Sequence, residues 1–297
     1  MSEAFRIVEV GPRDGLQNEP QTLGPALRIA LIERLAAAGL RSIEAGSFVS
    51  PKWVPQMAAT REVLDGLRRT PGVDYPVLVP NLQGLAAARE AGAGEIAVFT
   101  AASDAFNRRN INASVDESLA RLAPVIEQAR AAGLRVRGYV STVLGCPYQG
   151  AVSLTEVVRV AAWLAEAGCY EISLGDTIGI GTPRQARAML LAVAEAVPLS
   201  RLAVHFHDTR GQALANVYAC IEAGVRAADA SVAGLGGCPY AAGASGNLAT
   251  EDLVYLLQGL GFATGVDLAA LTDTARWISS QLGREPASRM ARVRSVA

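Results

Sequence analysis

Apolar runs alternate with helix-period stripes along the chain, and one local pattern punctuates them. A helix-like segment closes on Ala-Gly and a short β-prone run follows, at Ala38-Gly39, Ala91-Gly92, Ala132-Gly133, Ala167-Gly168 and Ala223-Gly224. Glycine just past a helix takes the left-handed C′ position without a Cβ clash, so each pair predicts a helix stop. The following runs predict strands at Ser42–Ala45, Glu95–Phe99, Arg135–Val140, Glu171–Leu174 and Ala228–Val232. Proline marks two more junctions, near Pro71 before Pro76–Val79 and at Pro198 before Leu202–Phe206, and Arg6–Val10 opens the series. In the first helix Pro25 sits at the first turn, and Leu27, Leu31 and Leu35 repeat at i+4 before Gly39. About eight strands alternating with helices predict an α/β fold, a (β/α)8 TIM barrel. A doubly wound sheet would carry G-x-G-x-x-G after an early strand, and none is there. Asp252–Leu260 and Leu268–Leu282 predict additional C-terminal helices, which cap the barrel or build a subunit contact. The expectation is a single TIM-barrel catalytic domain over residues 1–297, with the barrel at about 5–250 and the C-terminal helices at about 251–285.

Composition narrows the partners. A formal net charge of −1 without a block of like charge argues against nucleic acid and anionic membrane. Four cysteines (Cys146, Cys169, Cys220, Cys238) form no C-x-x-C pair and no disulfide framework, which fits a reduced, cytoplasmic compartment. No apolar run approaches the ~20 residues of a membrane helix, and Met1 to Arg6 lacks a targeting leader. A soluble protein is expected.

In a barrel, chemistry collects where strands end. Those positions hold Arg13-Asp14, Glu44 and Ser47, Asn81, Ser141 to Cys146, Asp176-Thr177, His205-Phe206-His207-Asp208, and a glycine-rich loop with Cys238 and Asn247. His205 and His207 are the only histidines, and residues two apart on a strand face one side, so both imidazoles suit one ion. Oxygen ligands must come from other loops, and Asp14 and Asn247 are best placed. Such a mixed set favours Mg²⁺ or Mn²⁺ over a structural zinc site. Arg13-Asp14 reads equally as a polar turn or as an arginine placed to stabilise an enolate oxygen. Asn247 reads also as a turn or cap residue. Gly145-Cys146-Pro147-Tyr148 nearly copies Gly237-Cys238-Pro239-Tyr240, so spacing does not single out the reactive thiol. A Schiff-base aldolase needs a barrel lysine, and the only lysine, Lys52, lies in a proline-flanked loop. Carbon–carbon cleavage here would therefore use a metal.

Longer stretches carry a resemblance: Val8 to Glu19, Ser47 to Met57, Gly138 to Gly150, Gly168 to Gly179 and Ser231 to Tyr255. Through them essentially the whole chain resembles the 3-hydroxy-3-methylglutaryl-CoA lyase family, within a metal-dependent barrel group that also holds isopropylmalate synthase. The resemblance implies cleavage of 3-hydroxy-3-methylglutaryl-CoA, a CoA thioester, to acetoacetate and acetyl-CoA, the chemistry of leucine breakdown and ketone-body formation. It implies Asp14, His205, His207 and Asn247 as metal ligands and Arg13 as the substrate-binding, enolate-stabilising residue. Cys238 matches the reactive loop cysteine, Glu44 and Asp176 match acidic residues needed for activity, and Gln17, Ser47 and Thr177 would line the substrate site. It also implies a homo-oligomer, dimer or higher. Two departures stand out: Arg210 occupies a position where tyrosine is frequent, and Ala45-Gly46 replaces the threonines of animal members. Arg210 is expected to adjust contacts to the CoA part. No cysteine follows Cys238, so the C-terminal disulfide exchange of animal members is not expected. The rival readings are a lyase for another 3-hydroxyacyl-CoA, an acetyl-CoA-dependent Claisen-condensing synthase, and a non-catalytic scaffold.

Overall fold

A computed structural model of the chain describes residues 3–237 and 246–293. Its strands are β1 (Arg6–Glu9), β2 (Ser42–Ile43), β3 (Gly46–Ser47), β4 (Val77–Leu78), β5 (Glu95–Ala101), β6 (Arg135–Ser141), β7 (Glu171–Asp176), β8 (Leu202–Phe206) and β9 (Ala227–Ala230). The helices are α1 (Pro25–Ala37), α2 (Thr60–Gly66), α3 (Leu82–Glu90), α4 (Asp104–Ile111), α5 (Val115–Ala131), α6 (Leu154–Ala167), α7 (Pro183–Ala194), α8 (Ala213–Glu222), α9 (Thr250–Gly259), α10 (Leu268–Gln281) and α11 (Arg289–Arg292).

All strand pairs are parallel, in the order β2-β1-β9-β8-β7-β6-β5-β4-β3. β2 and β3 are two halves of one strand, and they close the ring. Glu44 N–H donates to Glu9 O of β1 at 2.8 Å, whereas Ile43 and Ala45 N–H donate to Asp74 and Pro76 O on the β4 side at 3.0 and 2.9 Å. Eight strand positions therefore form a closed (β/α)8 barrel, as the alternation predicts. The five Ala-Gly stops all hold: Gly39, Gly92, Gly133, Gly168 and Gly224 have φ between 66° and 108°. Gly39 is required twice over, since a Cβ there would lie 2.2 Å from the carbonyl oxygen of Gly265.

Beyond the split second strand, the structure departs from the pattern in four places. The third strand position, β4, shrinks to Val77–Leu78 beside Pro76, which has no N–H to give a ladder. β9 stops at Ala230 instead of Val232, because a 3-10 turn with Ala233 at φ 58° follows. An extra helix, α4, precedes α5, each with its own serine N-cap; Ser114 and Glu117 complete a capping box on α5. A third C-terminal helix, α11, is nucleated by Asp252, whose carboxylate accepts from Arg289 and Met290 N–H at 3.0 and 2.8 Å. The expected α9 and α10 form, and α10 lies against α1 with the Arg34 guanidinium 4.6 Å from the Trp277 ring centroid. No helix among the described residues is long and apolar enough to cross a membrane.

Candidate metal centre

The carboxyl end of β1 runs into a π-helical turn, Gly11–Gly15, that carries Arg13 and Asp14. Beneath it Glu9 accepts from Gly11 and Val232 N–H at 2.8 and 2.9 Å and from the Thr250 hydroxyl at 2.6 Å. One buried carboxylate thus joins the Asp14 turn, the loop after β9 and the start of α9. At the end of β8, His205 and His207 sit on one side, and an isolated antiparallel bridge sets Asn247 beside His207.

These elements bring the expected ligands together. One potential ligand atom each from Asp14, His205 and His207 lies within 4.8 Å of the others. Nε2 of His205 is 3.9 Å from Oδ2 of Asp14, and the Asn247 amide donates to that oxygen at 2.8 Å. Burial opposes ionisation of Asp14, but Arg13, both imidazoles and Asn247 outweigh it and hold its pKa at about 2. Burial and the neighbouring His205 push His207 down to about 4, so its ring is neutral at pH 7. Nδ1 of His207 and Oδ1 of Asn247 are buried and lack a hydrogen-bond partner among the described residues. Two orphaned acceptors beside an ionised carboxylate are what a hard divalent cation would satisfy.

Arg13 is locked against this cluster. Its Nε donates to Glu44 Oε2 and its Nη1 to Asp14 Oδ1, both at 2.7 Å. Its carbon Cζ lies 5.6 Å from the Tyr139 ring centroid. Burial works against the guanidinium charge, but Glu44 and Asp14 outweigh it and raise the pKa. Glu44 is raised by burial, against the pull of Arg13.

The remaining expected residues are less tightly joined. Asp176 ends β7, and both its oxygens turn into its own loop, accepting from Ile180 and Gly181 N–H at 3.2 and 2.8 Å. Burial raises its pKa despite those bonds. The Thr177 hydroxyl accepts from Thr142 N–H at 2.9 Å, and the Ser47 hydroxyl donates to Leu78 O at 3.3 Å. Gln17 is half-buried just beyond the Asp14 turn. Cys238 lies outside the described residues. Asn81 caps α3 through Gly84 N–H at 2.9 Å, and Asp208 accepts from the N–H of Ala213, the first residue of α8, at 2.9 Å. Lys52 is exposed in a turn. Arg210 donates to the carbonyls of Ile178 and Gly179 at 3.2 and 3.0 Å, so it pins the loop after β7.

Sequence reasoning missed the residues behind His205. Asp229 of β9 lies 3.1 Å from its Nδ1, and Arg137 and Ser173 hold Asp229 in turn. A single acid within Ala227-Ala228-Asp229-Ala230 was the available signal, since a lone charge in an alanine strand demands a partner.

The HMGL-like family model matches residues 4–278. The chain belongs to the HMGL-like family. The 3-hydroxy-3-isohexenylglutaryl-CoA/hydroxy-methylglutaryl-CoA lyase of Pseudomonas aeruginosa is 58% identical over 292 residues, covering 98% of this chain and 97% of that protein. A crystal structure of hydroxymethylglutaryl-CoA lyase from Pseudomonas aeruginosa superposes with a TM-score of 0.96 at 57% identity, covering 98% and 97% of the two chains. An HMG-CoA lyase from Acinetobacter baumannii, solved in complex with coenzyme A and 3-methylmalate, gives a TM-score of 0.94 at 38% identity over 99% and 96%. For the HMGL-like chain these likenesses extend over barrel and C-terminal helices alike.

Proposed function

We propose that this HMGL-like chain, as one catalytic domain, cleaves 3-hydroxy-3-methylglutaryl-CoA to acetoacetate and acetyl-CoA. The observation that carries the reading is Arg13, clamped between Glu44 and Asp14, beside the convergent Asp14, His205, His207 and Asn247. Those four residues would hold Mg²⁺ or Mn²⁺; oxygen and imidazole donors without thiolate suit these ions. The bound ion would supply Lewis-acid polarisation of the substrate's C3 hydroxyl and carboxylate oxygens.

The protein's own groups divide the remaining work. Asp176, whose proton affinity burial raises, is the proposed acceptor of the C3 hydroxyl proton. As the C2–C3 bond breaks, negative charge moves to the thioester oxygen. Arg13 faces that charge with Nη2, the nitrogen without a partner among the described residues, while Glu44 fixes the guanidinium plane. Cys238 returns a proton to C2 of the enolate. Gln17, Ser47 and Thr177, which follow or end β1, β3 and β7, line the substrate site. The functional unit is proposed to be a homo-oligomer; Tyr255 and Leu260, exposed on and just after α9, are apolar side chains such a contact would cover. The free, buried thiols of Cys146, Cys169 and Cys220 support a reducing, cytoplasmic location.

A lyase acting on larger 3-hydroxy-3-alkylglutaryl-CoA esters is the second reading, favoured by the double name of the Pseudomonas aeruginosa relative. Product analysis tests both. Equal acetoacetate and acetyl-CoA from 3-hydroxy-3-methylglutaryl-CoA is expected. Turnover of the isohexenyl ester alone would replace the first reading by the second, and no turnover of either by folded, Mg²⁺-loaded protein would end both.

A further inference from the structure

The barrel interior holds a column of charge that the proposed reaction does not touch. Arg6 pairs with Glu171 near the floor. Glu171 Oε1 accepts from Arg137 Nε at 2.7 Å, and Arg137 Nη1 and Nη2 donate to Asp229 Oδ2 and Oδ1 at 3.2 and 2.6 Å. Asp229 then meets His205: its Oδ2 lies 3.1 Å from Nδ1 and also accepts from the Ser173 hydroxyl at 2.7 Å. Arg137, Ser173 and Asp229 are all buried, so no solvent competes for these bonds.

We propose that Asp229 is a positioning residue for the metal: it accepts the Nδ1 proton of His205 and so directs the lone pair of Nε2 toward the cation. The inference rests on the metal site proposed above. The direction of the bond follows from the chemistry of the partners. Arg137 has only hydrogens to give, and the carboxylate it grips in a two-pronged pair is acceptor-only. The hydrogen shared between Nδ1 and Oδ2 therefore belongs to the imidazole. A neutral imidazole protonated at Nδ1 carries its lone pair on Nε2. That nitrogen is the one 3.9 Å from Asp14 Oδ2, so it faces the residues that would hold the cation. Glu171 fixes Arg137 from the far side, so Asp229 cannot turn away without stranding a buried guanidinium.

The chain has two histidines, so ¹⁵N-histidine labelling yields two imidazole spin systems, assigned with whichever of His205→Gln or His207→Gln folds. In metal-free protein, held alkaline enough that both imidazoles are neutral, His205 is expected protonated at Nδ1 and bare at Nε2, and added Mg²⁺ should shift Nε2. Protonation at Nε2, or a Mg²⁺ shift confined to Nδ1, overturns the inference. In Mn²⁺ titrations followed by electron paramagnetic resonance, folded Asp229→Asn should bind about 10–100-fold more weakly than wild type. Unchanged Mn²⁺ affinity in that folded variant overturns the inference too. If Asp229→Asn does not fold, the wild-type spectrum decides alone. Wild-type protein that binds no Mn²⁺ removes the metal site itself, whereas Mn²⁺ binding with the wrong His205 tautomer removes only the role of Asp229.

Discussion

Replacing Glu251 with glutamine should flatten the pH dependence of stability between pH 6 and pH 8. Glu251 is buried in the first turn of α9, where its two oxygens accept from Ala233 N–H at 2.9 and 3.2 Å. Burial, with the nearby Glu9 carboxyl adding to it, lifts its pKa from an ordinary 4.5 to about 8. A raised folded-state pKa means that the native protein keeps a proton the unfolded chain has released. The stabilising contribution is therefore complete below pH 4.5 and disappears as the pH rises through about 8. Within that window each pH unit costs about 1.4 kcal/mol, so from pH 6 to pH 8 the parent loses about 2–3 kcal/mol through this group. Glutamine retains the shape and an acceptor oxygen but has no proton to lose. Urea unfolding at both pH values measures the effect. The variant should gain about 2 kcal/mol relative to the parent between pH 6 and pH 8. Parallel pH slopes for the two proteins would show that Glu251 is not a protonated carboxyl in the native state. Glu9, raised by burial to about 7, should respond in the same direction over a narrower window.

Three further outcomes follow from the site. Arg13→Gln removes the guanidinium facing the developing enolate, so kcat should fall by about 10²-fold or more while Mn²⁺ still binds; near-normal kcat would take Arg13 out of the chemistry. Gly246→Ala would place a Cβ 2.2 Å from the Gly234 carbonyl oxygen and 2.8 Å from that of Gly236, both backbone atoms that cannot swing aside. Displacing Asn247 in this way should weaken Mn²⁺ binding about 10-fold or more, and calorimetric titration with a wild-type Kd would contradict it. Mg²⁺ at about 100 times its Kd should stabilise the chain by about 2.7 kcal/mol and raise Tm accordingly; a Tm indifferent to Mg²⁺ and to chelator argues against a native-state site.

The fold was legible because its punctuation is local. Five Ala-Gly stops and two prolines mark helix ends whatever the tertiary context, and each preceded a strand. What escaped depends on partners far away in the chain. The break at Glu44-Ala45 lies in a run that reads as continuous, and it follows from pairing to β1 on one side and β4 on the other. Asp14 and the two histidines were visible as chemistry at strand ends. Their support was not, because Arg137, Ser173 and Asp229 are 92, 56 and 24 residues from the groups they bind. Asp176 was legible as a rim carboxylate, yet its oxygens serve the N–H groups four and five residues on, a turn geometry that spacing does not specify. Asn81, also a polar residue at a strand end, caps α3, and Asp208 binds the first N–H of α8, since polar side chains at strand ends also serve the helices that follow.

The most direct test of the account is acetyl-CoA release from 3-hydroxy-3-methylglutaryl-CoA by chelator-stripped protein before and after Mg²⁺ is restored. A metal held by Asp14, His205, His207 and Asn247 predicts negligible release when stripped and recovery that saturates with added Mg²⁺. Full activity in stripped protein shown to be metal-free, or no activity after restoration in folded protein, would contradict it.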